Sequence, residues 1–325
     1  MIETHELTRH FKDVQAVRGI DLTVAPGELV ALLGPNGAGK STTLRMLTTL
    51  IPPTSGTARV AGFDVVRGQR EVRQRIGYIG QGNGAAHSQR GRDELISQGR
   101  AYGMKVGAAR RRAAELIDSL DLGKVADRTV STLSGGQRRR LDIAMGLIHS
   151  PDLLFLDEPS TGLDPQNRAN LQRHIVELRE RHGTTIMLTT HYLDEADAMA
   201  ERVIVIDHGR VIADDTPARL KTEHVGDRII LGFDHETDAA VAAARVPHKA
   251  HRYGTELTVS VPGAPRLVTG LLEDLRAAGL PPAEVEVRRA TLDDVFLELT
   301  GRSLREGGAA RSTEDTGNTP ELVEA

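Results

Sequence analysis

The stretch Glu28 to Leu50, "ELVALLGPNGAGKSTTLRMLTTL", limits the fold more than any other feature of the chain. "ELVALL" is an apolar run of strand length, and "STTLRMLTTL" is helical in composition. Between them Gly34, Pro35, Asn36, Gly37, Ala38, Gly39, Lys40, Ser41 and Thr42 match G-x-x-x-x-G-K-[ST]. A strand that ends in such a loop and restarts as a helix aims backbone N–H groups at one point, where the helix dipole also favours an anion. The glycines let the backbone curl around α- and β-phosphates, Lys40 reaches the β- and γ-phosphates, and Ser41 offers a hydroxyl to Mg²⁺. A glycine-rich turn with an unrelated lysine is the alternative, and the strand-loop-helix context disfavours it.

Three further apolar runs read as buried strands: "LLFLD" (Leu153 to Asp157), "TTIMLTT" (Thr184 to Thr190) and "RVIVID" (Arg202 to Asp207). Strands alternating with helices predict a largely parallel sheet with helices on its faces, and such sheets bind ligands at their C-terminal ends. Asp157 and Glu158 stand at one such end. Beside a phosphate loop, Asp157 would hold Mg²⁺ through water and Glu158 would polarise an attacking water; the alternative is a pair of caps. His191 stands at another end, as a catalytic group or a structural hydrogen-bonder. Gln81, after "IGYIG", is placed to reach both metal and water. Phe11, in a predicted loop, could stack on adenine or belong to the core. The triplets Arg110 to Arg112 and Arg138 to Arg140 read as solvated helix faces rather than anion sites. From Arg70 to about Ser150 the pattern is mostly helical, with Ala113, Leu116, Ile117 and Leu120 on one face.

A second phosphate-facing feature stands within that region: Leu133, Ser134, Gly135, Gly136 and Gln137 resemble a loop opening a helix. Around Lys221 to Asp227 the pattern changes to a small α+β unit, with "RIILGF", "ELTVSV" and "EVEVRR" as strands and "TDAAVAAARV" and "RLVTGLLEDLRAAG" as helices. Its closing "TLDDVFLELTG" carries Thr291 and Asp294 at capping-box spacing. From Arg305 the residues have little to bury and predict a disordered tail.

At 325 residues the chain has room for roughly two domains. No run approaches the ~20 apolar residues of a membrane span, and the polar N-terminus lacks the pattern of a secretory signal, so a cytosolic chain is expected. With no cysteine, disulfides and thiolate chemistry are excluded, and a net charge of -4 gives no reason to expect a nucleic acid partner.

In order and spacing, "GPNGAGKST", Gln81, "LSGGQ", "LLFLDE", "STGLD" and His191 resemble the Walker A, Q-loop, signature, Walker B, D-loop and switch-histidine motifs of an ABC-type ATPase. The C-terminal unit, "TLDDVFLELTG" above all, is similar to that of drug-exporter ATPases of the daunorubicin-resistance kind. The resemblance implies an α/β P-loop ATPase domain over 1–222 with antiparallel β and helical subdomains, an α+β accessory domain over 228–301 and a tail over 305–325. It implies ATP and Mg²⁺ as ligands. ATP would meet Phe11 and Gly34 to Thr42, the metal Ser41, Gln81 and Asp157, and catalysis would use Glu158, His191 and Gln81. The D-loop would comprise Ser160, Gly162, Leu163 and Asp164. Leu133 to Gln137 would face the ATP of a second copy, two chains stacking head-to-tail on a separate membrane-spanning permease. Because no motif residue is degenerate, a homodimer with two competent sites is the simpler expectation. The implied function is the motor of an exporter on the cytoplasmic face of the membrane. The alternatives are a soluble ABC protein of translation or DNA repair, an importer, and a P-loop kinase, which leaves "LSGGQ" unexplained.

Overall fold

The computed structural model describes residues 1–302 apart from Asn83 and His87. The expected tail lies outside the described residues. Contacts divide the chain into two compact units, one spanning Met1–Asp215 and the other starting at Thr216.

The first unit opens with the strands β1 (Ile2–Phe11) and β2 (Val14–Val24) and the buried β3 (Leu29–Leu33). Helix α1 (Lys40–Leu47) follows the glycine loop, then β4 (Ser55–Val60), β5 (Phe63–Asp64), α2 (Gln69–Arg75) and β6 (Ile76–Ile79). Helices α3 (Gly91–Ala101), α4 (Val106–Ser119) and α5 (Gly135–Leu147) pack on one another. An alternating series closes the unit: β7 (Leu153–Asp157), α6 (Pro165–His182), β8 (Thr185–Thr190), α7 (Leu193–Met199), β9 (Arg202–Asp207) and β10 (Arg210–Asp215).

These strands form an antiparallel sheet in the order β2-β1-β4-β5 and a six-stranded sheet in the order β10-β9-β3-β8-β7-β6. The second is parallel except where β10 pairs with β9. Every residue of β3, β7 and β8 is buried, because helices and the other sheet cover both faces; that is why β3 and the first four residues of β7 read as unbroken apolar runs, while the threonines of β8 are buried too. Leu44, Met46 and Leu47 of α1 share one core with Ile2, Leu7 and Ile20 of the antiparallel sheet and with Val30, Leu32 and Phe155 of the parallel sheet. The helix that begins at the glycine loop is therefore clamped between sheets.

The structure departs from the sequence reading at short or polar strands. The region expected to be mostly helical contains β6, whose four residues are too few to declare a period. Phe11 ends β1 rather than lying in a loop.

In the second unit α8 (Pro217–His224) precedes β11 (Asp227–Gly232), α9 (Glu236–Arg245), β12 (Lys249–Tyr253), β13 (Glu256–Val261), α10 (Ala264–Ala277), β14 (Glu284–Arg288) and α11 (Leu292–Thr300). The sheet order β12-β13-β11-β14, antiparallel throughout, with the order β-α-β-β-α-β, is the split βαβ arrangement. Ile229, Leu231, Leu257 and Val259 pack with Ala239 and Ala242 of α9 and Leu275 of α10. β12, "KAHRY", was not expected from its sequence; it is a strand because it pairs with β13, and its basic residues suit an edge. The capping box at α11 is formed, Thr291 Oγ1 accepting from Asp294 N at 3.2 Å and Asp294 Oδ2 accepting from Thr291 N at 3.0 Å. Val295 and Phe296 are buried and α11 packs on α8.

Every buried residue of the two-sheet core lies between Ile2 and Ile206. A chain ending at Asp215 should therefore keep a single cooperative thermal transition by circular dichroism. A broad, non-cooperative melt would show that the core needs residues beyond it.

Candidate functional site

Strand order builds the site. β3, β8, β7 and β6 are consecutive neighbours running the same way, so the segments that leave their C-terminal ends lie in a row. Those segments are the glycine loop, His191, Asp157 with Glu158, and Gln81. An open cleft of about 480 Å³ is lined by Asn36, Gly37, Gly39 to Thr42, Gln81, Glu158 and Phe11. Sequence reasoning missed its other walls, Val14 to Ala16, Arg18 and His208, which carry no motif.

The loop turns into α1 through Gly39, whose φ of 107° is open only to glycine. A Cβ there would also stand 2.6 Å from the Ala16 carbonyl oxygen. A Cβ at Gly209, itself at φ 76°, would stand 2.8 Å from the same oxygen; the Gly209 N–H donates to Ala38 O and its carbonyl oxygen accepts from Arg18 N. Lys40 is buried at the start of α1; its Nζ donates to Gly34 O at 2.7 Å and Pro35 O at 3.1 Å and stands 3.6 Å from Glu158 Oε1. Burial pushes the Lys40 ammonium down from its ordinary pKa, opposed by Glu158 and Asp157.

Asp157 is fully buried. Its Oδ1 accepts from Ser41 Oγ at 2.8 Å and Thr189 Oγ1 at 2.7 Å, while Oδ2 is buried with no hydrogen-bond partner. Gln81 Nε2 donates to Ser41 Oγ at 3.3 Å. One hydroxyl, one amide and one carboxylate with a spare oxygen suit a hydrated cation that takes its remaining ligands from phosphates. They are too few to hold a divalent ion unaided.

Glu158 sits in the left-handed region at φ 46°. Its N–H donates to Thr189 Oγ1 at 2.9 Å and Thr189 O at 3.1 Å. Its Oε2 lies 3.3 Å from His191 Nδ1 and accepts from Thr161 Oγ1 at 3.1 Å. The His191 imidazole holds the Glu158 carboxyl below its usual range; burial pushes the other way, and Lys40 adds to the lowering.

The "LSGGQ" residues do not line this cleft. Ser134 caps α5 by a capping box, its Oγ accepting from Gln137 N and Gln137 Oε1 accepting from Ser134 N at 3.0 Å. Gly135 and Gly136 stand at the first helical positions, where an N–H has no intrahelical partner; Gly135 is exposed and Gly136 is buried beside Asn167. Leu163 N donates to Ser160 O in a turn past Gly162, and Asp164 caps α6 by accepting from Asn167 N at 2.9 Å. Phe11 is 42% exposed with the Arg9 guanidinium 4.6 Å from its ring centre, so it is not a core residue. The second arginine triplet is not a solvated face: Arg139 is buried against backbone carbonyls, Arg138 donates to Val130 O and Arg140 to Leu120 O.

The family model described as ABC transporter matches residues 17–161. The chain is 44% identical to the daunorubicin/doxorubicin resistance ATP-binding protein DrrA of Streptomyces peucetius, over 97% of this chain and 95% of that protein. It is 33% identical to the linearmycin resistance ATP-binding protein LnrL of Bacillus subtilis, over 94% of this chain and 100% of that protein. Among solved structures it is similar to a dimeric bacterial ABC transporter cassette, with TM-score 0.61 and 25% identity over 66% of this chain and 98% of the cassette.

The lowered Glu158 carboxyl sets a sign for pH dependence. Its stabilisation is complete above the ordinary glutamate pKa of about 4.3 and is lost as pH falls through the lower folded value. Urea unfolding of the native chain and Glu158→Gln should thus show a stability gap that is constant above about pH 5 and closes on acidification. A gap indifferent to pH would remove His191 and Lys40 as causes.

Proposed function

Since the chain belongs to the ABC transporter family of ATP-binding proteins, we propose that it is the ATP-hydrolysing motor of an exporter, driving a separate membrane-spanning subunit. The observation that carries this reading is the convergence of Lys40, Ser41, Asp157, Glu158, His191 and Gln81 at the ends of four adjacent strands. Resistance to drugs or antibiotics, named for the relatives, gives the cargo class. No helix among the described residues is long and apolar enough to cross a membrane, so this reading places the passage in a partner and this chain on its cytoplasmic face.

In this reading, the N–H groups of Gly37 to Thr42 and the Lys40 ammonium bind the phosphates of ATP, with Phe11 at the cleft mouth against the base. Mg²⁺, held by Ser41, Gln81 and Asp157, would neutralise the charge that develops on the phosphates. Glu158 orients a water and accepts its proton, and His191 fixes the carboxylate. His191 thereby also keeps it ionised. The N-terminus of α5 does not line its own chain's cleft, so Ser134 to Gly136 would enclose the ATP of a second copy, head-to-tail. Two identical chains then make two composite sites, with D-loops Ser160 to Asp164 along the seam. Closure on ATP and reopening after hydrolysis supply the stroke.

Glu158→Gln should bind ATP, accumulate as an ATP-bound dimer and hydrolyse about 10²–10⁴-fold more slowly. Turnover within a few-fold of the native rate would give the base role to another residue. Mixing Ser134→Arg with Lys40→Ala chains tests the pairing: one site of the mixed dimer carries both lesions and the other none. ATPase activity should exceed that of either variant alone, whereas mixed dimers shown to form without recovery would count against the head-to-tail arrangement.

A further inference from the structure

We propose that Arg139 is a positioning residue for hydrolysis, holding the backbone on both sides of Glu158 and just before Gln81; this rests on the reading of Glu158 as the general base. Arg139 stands on α5 a little beyond the Ser134 cap and is 8% exposed. Its Nε donates to Pro159 O at 2.8 Å, its Nη2 to Asp157 O at 3.2 Å and its Nη1 to Gly80 O at 2.7 Å. No carboxylate is within hydrogen-bond reach of this buried guanidinium among the described residues. Its direct hydrogen bonds all go to carbonyls, while the carboxylates of Asp142, Asp157 and Glu195 act on it only through space.

What those carbonyls have in common gives the role. Asp157 and Pro159 flank Glu158, and Gly80 precedes Gln81. Glu158 is left-handed at φ 46°, a conformation that a residue with a side chain keeps only where its surroundings over-determine it. Thr189 holds the Glu158 N–H, and Arg139 holds the carbonyls before and after it. Three nitrogens of one planar fork serve three carbonyls, one at the end of β7 and one in each of the segments that follow β7 and β6, which a lysine ammonium on a flexible stem cannot reproduce. One side chain thus fixes Gln81 and Glu158 relative to each other, and both relative to the helix that begins at "LSGGQ".

The alternative is that Arg139 only anchors α5. Arg139→Lys keeps the charge and most of the stem, and Arg139→Met removes the buried charge. Both should bind Mg-ATP within about twofold of native, with kcat reduced about 10–100-fold and KM little changed, the signature of a misplaced catalytic group. Combined with Glu158→Gln, Arg139→Lys should add no more than about twofold, because both lesions act on one group. A folded Lys or Met variant with native kcat overturns the proposal, as do losses that multiply in the double variant. Failure of both variants to fold or to bind Mg-ATP makes Arg139 a fold determinant and overturns it too. Should Glu158→Gln alone hydrolyse at the native rate, the base reading itself falls; if Glu158→Gln is inactive while the Arg139 variants turn over normally, only the positioning role falls.

Discussion

Parallel hydrogen bonding of β8 to β3 on one side and β7 on the other is the interaction on which the rest of the site depends. The register sets Asp157 opposite Thr189 and Leu33 opposite Thr190. Thr189 can then donate to the Asp157 carboxylate and also receive the Glu158 N–H. A slip of one residue would turn the Thr189 side chain to the other face and leave the Asp157 carboxylate and the Glu158 N–H without its hydroxyl. The slip is disfavoured because these strands are buried on both sides, among helices that cannot follow.

A dense group of charges is the consequence. Lys40, Asp157, Glu158 and Arg139 lie within a few residues of one another in space, three of them buried. Such groups survive where each charge has its own partners. Here Lys40 leans on loop carbonyls and Glu158, Asp157 on two hydroxyls, and Arg139 on three carbonyls. Among these four side chains, Asp157 Oδ2 is buried without a hydrogen-bond partner, and it lies on the same carboxyl that accepts from Ser41, the hydroxyl read as a metal ligand.

Legibility followed chemistry and burial. The buried strands β3, β7 and β9 were plain in the sequence because their cores admit only apolar residues, and the glycine loop because few sequences curl backbone amides that way. Thr189 was invisible: inside "TTIMLTT" a threonine is ordinary strand composition, and its role appears only once β7 lies beside it. Arg139 was misread as surface because a run of three arginines carries no mark of which one faces inward. β12 and β10 were missed since edge strands need satisfy only one neighbour, and so keep polar residues. The accessory unit's topology was out of reach for the same reason, its order depending on pairings with long sequence separation.

Gly39 and Gly209, from opposite ends of the first unit's sequence, both lie where a side chain would run into the carbonyl of Ala16. One belongs to a motif and the other to none. Yet a side chain at either would push the same backbone oxygen, and through it the turn that leads into α1 and the wall beside the phosphate loop. For the history of such chains this makes the two positions a single heritable constraint. Drift at Gly209 is expected to be as restricted as drift at Gly39, and a survey of variation that weighs positions by motif alone would misjudge which changes this ATPase tolerates.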